Sequence, residues 1–130
     1  MGRAMTDTLC RDTRAFVFPG QGAQTLGMGK DLAEAFPAAR EVFAEVDEAL
    51  GQDLSGLMWG EDLAALTLTE NAQPALLIHG TIALNMLRGN GINAIIAAGH
   101  SLGEYSANVA AGSIQFLDAV RLVQLRGRYM

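Results

Sequence analysis

Apolar residues in this 130-residue chain fall into two patterns, short unbroken runs and longer stretches at helical spacing. The first run, Ala15-Phe16-Val17-Phe18, is stopped by Pro19 and Gly20, which predicts a buried strand entering a loop. That loop reads Gly20-Gln21-Gly22-Ala23-Gln24 and continues through Gly27 and Gly29. Helices are predicted over 31–36 and 38–50; in the second, Val42, Phe43, Val46 and Leu50 recur at helical spacing while Arg40, Glu41, Glu45 and Glu48 take the other faces. Gly51 is the expected stop. Residues 54–68 read as irregular, apart from a short helical turn at 61–66.

A stronger helix is predicted from Thr69-Glu70-Asn71, with Pro74 in its first turn, to about Arg88. Its middle, 75–82, is apolar on nearly every side, which calls for burial on more than one face. Residues 93–98 then read as a buried strand, 99–103 as a turn, and 104–111 as a helix closed by Gly112. A last helical pattern starts at Phe116 and is still running at Met130, which reads as truncation rather than a natural end. Strands alternating with helices predict an α/β architecture. A polar leader over 1–14 precedes a single unit over 15–130.

Composition narrows the classes. With 50% hydrophobic and 18% charged residues the chain can bury one core. A net charge of −5 argues against tracking a nucleic-acid backbone. Arg121, Arg126 and Arg128 read as one solvated helix face on charge pattern alone. The single cysteine, Cys10, can form no internal disulfide, and no metal-ligand cluster is present, so no metal is expected. The leader has no apolar stretch, and no run approaches a membrane span, which points to a cytoplasmic protein without a membrane partner.

The chemistry concentrates at Gly99-His100-Ser101-Leu102-Gly103. A GxSxG pattern suits a nucleophilic serine on a sharp strand-to-helix turn, where the next backbone N–H faces a developing oxyanion. A shuffled chain of this composition would contain about 0.05 such patterns, so the pattern alone is weak. The apolar strand before it and the helix after it supply the required context.

Four separated segments together carry a family resemblance: Phe16-Val17-Phe18-Pro19-Gly20-Gln21-Gly22-Ala23-Gln24; Glu70-Asn71-Ala72-Gln73-Pro74-Ala75-Leu76; Gly99 through Ser106-Ala107; and Arg126-Gly127. In this order they resemble the malonyl-CoA:acyl-carrier-protein transacylases of fatty-acid synthesis, and the acyltransferase domains of polyketide synthases look similar. The resemblance implies the first part of an α/β-hydrolase-like core, with a parallel sheet and nucleophile elbow, lacking a later ferredoxin-like subdomain. It implies that Ser101 accepts malonyl from malonyl-CoA and passes it to the phosphopantetheine thiol of acyl carrier protein. The backbone N–H groups of Gln21 and Leu102 would form the oxyanion hole. Arg126 would bind the free carboxylate of malonate, and Gln73 would line the same pocket. No cofactor is implied, since malonyl-CoA is a substrate, and the full-length protein would be a monomer.

A serine also needs a base. His79 falls inside the long helix and reads as a core or surface-edge histidine; His100 adjoins Ser101 and should point away from it. No histidine follows Ser101. In the family the catalytic histidine lies later than this chain extends, so the chain alone is expected to turn over poorly. Glu104 and Asp118 read as helix-face carboxylates. Two alternatives stand beside the transacylase: an inactive fragment of that enzyme, and a GxSxG esterase or patatin-like lipase that uses water and has no need of Arg126.

Overall fold

The computed structural model describes residues 13–130; Cys10 and nearly all of the expected leader lie outside them. Two strands and seven helices follow in the order β1 (Ala15–Phe18), α1 (Lys30–Ala35), α2 (Pro37–Leu50), α3 (Leu54–Trp59), α4 (Leu63–Thr67), α5 (Thr69–Gly89), β2 (Ile96–Gly99), α6 (Leu102–Ala110) and α7 (Phe116–Arg128). The fold is α/β, with a small parallel sheet among mostly helical elements.

β1 and β2 pair in parallel, with Ala15 opposite Ile96 and Phe18 opposite Gly99. Arg14, placed in the leader on sequence, joins this ladder: its carbonyl accepts from Ile95 N–H at 3.2 Å and its guanidinium donates to Asn93 O at 2.9 Å. β2 therefore begins three residues later than expected, because the ladder and not the apolar run sets its bounds. Neither strand is buried on both faces, as the unbroken runs suggested. By register, Phe16, Phe18 and Ala97 share one face and pack with Leu84 of α5 and Ala107 and Ala110 of α6. Val17 and Ile96 share the other, where they are 75% and 59% exposed.

The main core lies between helices. Phe43 and Val46 of α2, Met58 of α3, Leu66 of α4, Leu77, Ile78 and Ile82 of α5, and Val120 and Val123 of α7 are buried in one cluster. Two features depart from the sequence reading. Residues 54–68 hold two short helices rather than one turn, each started by an aspartate whose Oδ1 accepts a backbone N–H: Asp53 from Gly56 and Asp62 from Ala65, both at 3.0 Å. Pro74 is the sixth residue of α5, not part of its first turn. It is fully buried, so the backbone bond lost there is offset by core packing.

α5 and α7 meet closely at Gly127. A Cβ on that residue would stand 2.6 Å from Glu70 Cα and 2.7 Å from Thr69 O. Arg128 holds Glu70 across the same junction at 3.3 Å. Gly127→Ala would gain about 1 kcal/mol of helix propensity at an unconstrained site, yet here about 1–3 kcal/mol of overpacking opposes it. The expected result is a lower urea midpoint for the variant in the intact gene product; a higher midpoint would show that the helices do not meet this tightly.

Candidate active site

Ser101 stands between β2 and α6 at φ 52°, ψ −108°, the one non-glycine residue at positive φ among the described residues. Such a conformation costs on the order of 1–3 kcal/mol and persists only where neighbours enforce it. The neighbours are backbone. A Cβ on Gly99 would run into Gly103, and one on Gly103 would run into the Phe18 carbonyl. The glycines of the motif thus let the turn fold onto the end of β1, and His100 N–H extends the ladder by donating to Phe18 O at 3.3 Å.

The loop after β1 closes against the same turn: a Cβ on Gly20 would lie 2.7 Å from His100 O. This places Gln21 beside the Ser101 turn. Its side chain donates to Thr69 Oγ1 at 3.1 Å, tying the loop to the start of α5, while the buried Gln24 accepts from Gly22 N–H at 2.8 Å. The far end of the loop is held by α3, through Gly27 N–H to Met58 O at 2.8 Å and Trp59 Nε1 to Met28 O at 3.0 Å. Trp59 in turn meets Phe43 edge to face at 4.8 Å. The segment read as irregular from sequence is therefore the loop's anchor.

Leu102 is the first residue of α6, so its N–H has no intrahelical acceptor and lies at the positive end of the helix. The next two N–H groups are taken, Gly103 by His100 O and Glu104 by Ser101 O, each at 2.9 Å.

Arg126 of α7 reaches this turn across 25 positions of sequence. Its Nη2 donates to Ser101 Oγ at 3.0 Å and its Nη1 to Gln73 Oε1 at 2.8 Å. Gln73 is fully buried and its Nε2 donates to Met130 Sδ at 3.0 Å. The charge pattern suggested one solvated arginine face; the structure divides the trio. Arg121 and Arg128 are exposed and pair with Asp118 and Glu70, whereas Arg126 is half-buried and turned inward. Among the described residues no carboxylate lies within ion-pair distance of Arg126. Ser101, Gln73 and Arg126 are thus brought together, with Gln21 and Leu102 on the two backbone segments that flank the serine. Tyr105, four residues after Ser101 and hence on the same side of α6, carries its ring to 5.4 Å from the Arg126 guanidinium carbon. That one-turn spacing was the available signal for it.

Neither described histidine bonds Ser101 Oγ. His100 Nδ1 lies toward Gly20, and His79 lines a groove of about 390 Å³ along β1 that includes neither Ser101 nor Arg126. Glu104 is exposed on its helix, as is Asp118 beside Arg121. Among the described residues no group of three His, Cys, Asp or Glu side chains could hold a metal ion, and no helix is long and apolar enough to cross a membrane.

A family model described as acyl transferase domain matches residues 15–130. The malonyl CoA-acyl carrier protein transacylase of Bacillus subtilis (strain 168) is 53% identical over 116 residues, 89% of this chain and 37% of that protein. The crystal structure of an acyl carrier protein S-malonyltransferase from Vibrio cholerae O1 biovar eltor superposes with a TM-score of 0.86 at 43% identity, over 93% of this chain and 39% of that one. A type II PKS acyl-carrier protein in complex with its malonyl-transacylase gives 0.84 at 46% identity, over 92% and 38%. The chain thus spans under two fifths of the length of these relatives.

The strain at Ser101 can be read by comparing two variants that both remove the hydroxyl. At ordinary positions Gly is less stable than Ala by about 0.5–1 kcal/mol. Here Ser101→Gly should match or exceed Ser101→Ala in denaturation midpoint, and the ordinary order would show that the turn is unstrained.

Proposed function

The chain belongs to the acyl transferase domain family, and we propose from this that the protein transfers malonyl from malonyl-CoA to the phosphopantetheine thiol of acyl carrier protein, in fatty-acid synthesis. Residues 15–130 then form the N-terminal segment of an α/β-hydrolase-like core, and the Ser101 turn is its nucleophile elbow. In the first half-reaction Ser101 Oγ forms a bond to the thioester carbon, the carbon–sulfur bond breaks, and CoA leaves as the thiol with the serine proton. In the second, the carrier thiol sulfur bonds to the ester carbon, the carbon–oxygen bond to Ser101 breaks, and the thiol proton passes to Ser101 Oγ. Leu102 N–H and Gln21 N–H receive the oxyanion in both halves.

The observation that carries this reading is the Arg126 guanidinium, 3.0 Å from the nucleophile and without a carboxylate partner among the described residues. A half-buried cation without a carboxylate partner favours an anionic ligand, and guanidinium grips a carboxylate through two parallel hydrogen bonds. Malonyl carries its free carboxylate one methylene from the carbonyl under attack, within reach of a group that already touches Oγ. Gln73 holds Nη1 from the buried side. An esterase releasing neutral acyl groups has no use for this charge.

Proton transfer from Ser101 needs a base beyond its contacts among the described residues. The reading requires no cofactor and no metal, and it envisages a monomer in the cytoplasm whose partners are malonyl-CoA and acyl carrier protein, not nucleic acid or membrane.

Brief exposure of the intact gene product to malonyl-CoA should add one malonyl group by intact-mass measurement, and Ser101→Ala should abolish the adduct. An unmodified wild-type protein would refute the serine ester. Loss of the Arg126 contact, in Arg126→Ala, should lower kcat/KM for malonyl-CoA by about a hundredfold, the scale of a lost charged hydrogen-bond pair. Acetyl transfer should fall far less; equal losses would remove Arg126 from carboxylate recognition.

A further inference from the structure

Arg126 is restrained in two different ways. The hydrogen bonds to Ser101 Oγ and Gln73 Oε1 use N–H groups, which lie in the guanidinium plane. The guanidinium carbon also stands over the Tyr105 ring, 5.4 Å from its centroid, a cation–π contact separate from both bonds. Tyr105 is itself half-buried and packed on the main core, so the ring is a fixed surface rather than a mobile one.

The two restraints differ in what happens when a carboxylate arrives. A bidentate carboxylate takes in-plane N–H groups, the same donors that now reach Ser101 and Gln73. Those bonds are then shared or exchanged. The contact with the ring is neither of those bonds and survives.

Resting on the reading of Arg126 as the carboxylate's partner, we propose that Tyr105 is a positioning residue for acyl-group selectivity: its ring holds the guanidinium in place while the substrate carboxylate displaces the bonds to Ser101 and Gln73. The ring also sets apolar surface beside the cation, which strengthens its pairing with the carboxylate. Selectivity for acyl groups with a terminal carboxylate then depends on an aromatic side chain that touches neither the reacting carbon nor the leaving thiol.

The test compares kcat/KM for malonyl-CoA and acetyl-CoA in the intact gene product and its variants. Tyr105→Phe keeps the ring and should keep the malonyl preference. Tyr105→Leu should lower kcat/KM for malonyl-CoA by about three- to tenfold, mainly through KM, with acetyl transfer changed by less than about twofold. Tyr105→Met, which fills similar apolar volume without a ring, should reproduce the loss and stands in if the Leu variant is unfolded by circular dichroism. Equal losses for both acyl groups, an unchanged preference in the ring-less variants, or a lost preference in Tyr105→Phe would each overturn the proposal. Arg126→Ala separates the two levels. If it spares the malonyl preference, carboxylate recognition by Arg126 itself fails; if it removes the preference while the ring-less Tyr105 variants retain it, only the role of Tyr105 fails.

Discussion

At the end of the two-stranded ladder, backbone rests directly on backbone: Gly103 on the Phe18 carbonyl, Gly99 on Gly103, and Gly20 on the carbonyl of His100. No side chain fits at any of these contacts. Their closeness forces Ser101 into its positive-φ conformation and leaves Leu102 N–H at the head of α6. It also draws the loop bearing Gln21 to the serine. A turn even slightly looser would separate the two candidate oxyanion donors, which belong to segments some eighty residues apart in sequence.

The second half of the site depends on helix packing. α7 reaches the serine because Gly127 lets it sit on the first turn of α5, the helix that supplies Gln73 and Thr69. A line of side-chain amides secures the same junction: Gln124 donates to Gln52 at 2.8 Å, Gln52 to Asn71 at 3.2 Å, and Asn71 to Ala65 O at 3.0 Å. Gln124 and Asn71 each lie two residues before a site residue, Arg126 and Gln73. Satisfied polar networks of this kind specify one register between helices, since any slip would strand buried donors.

Electrostatics gives this geometry a direction. The chain is acidic overall, yet among the described residues the half-buried guanidinium beside the serine meets neutral groups alone: an amide oxygen, a hydroxyl and an aromatic face. These fix its position without cancelling its charge. A carboxylate in place of Gln73 would satisfy the arginine and spoil the site for an anion.

Much was legible in the residues. Strand, turn and helix around Ser101 could be placed because apolar runs and the GxSxG spacing are local, and the glycine-rich loop and long α5 followed from the same logic. The short helix α3 was not, and α4 was read only as a turn, since five or six residues carry too little periodicity; Asp53 and Asp62, as caps, were the signal for two separate helices. The exposure of Val17 and Ile96 was equally hidden, because an unbroken apolar run does not say which face a partner covers. The order of the motifs and the chemistry they resemble were thus determined by the sequence itself. The inward turn of Arg126, its neutral contacts with Gln73 and Ser101 and the ring beside it were decided by tertiary structure, because they arise where α5, α6 and α7 converge and no local pattern encodes the distance between helices.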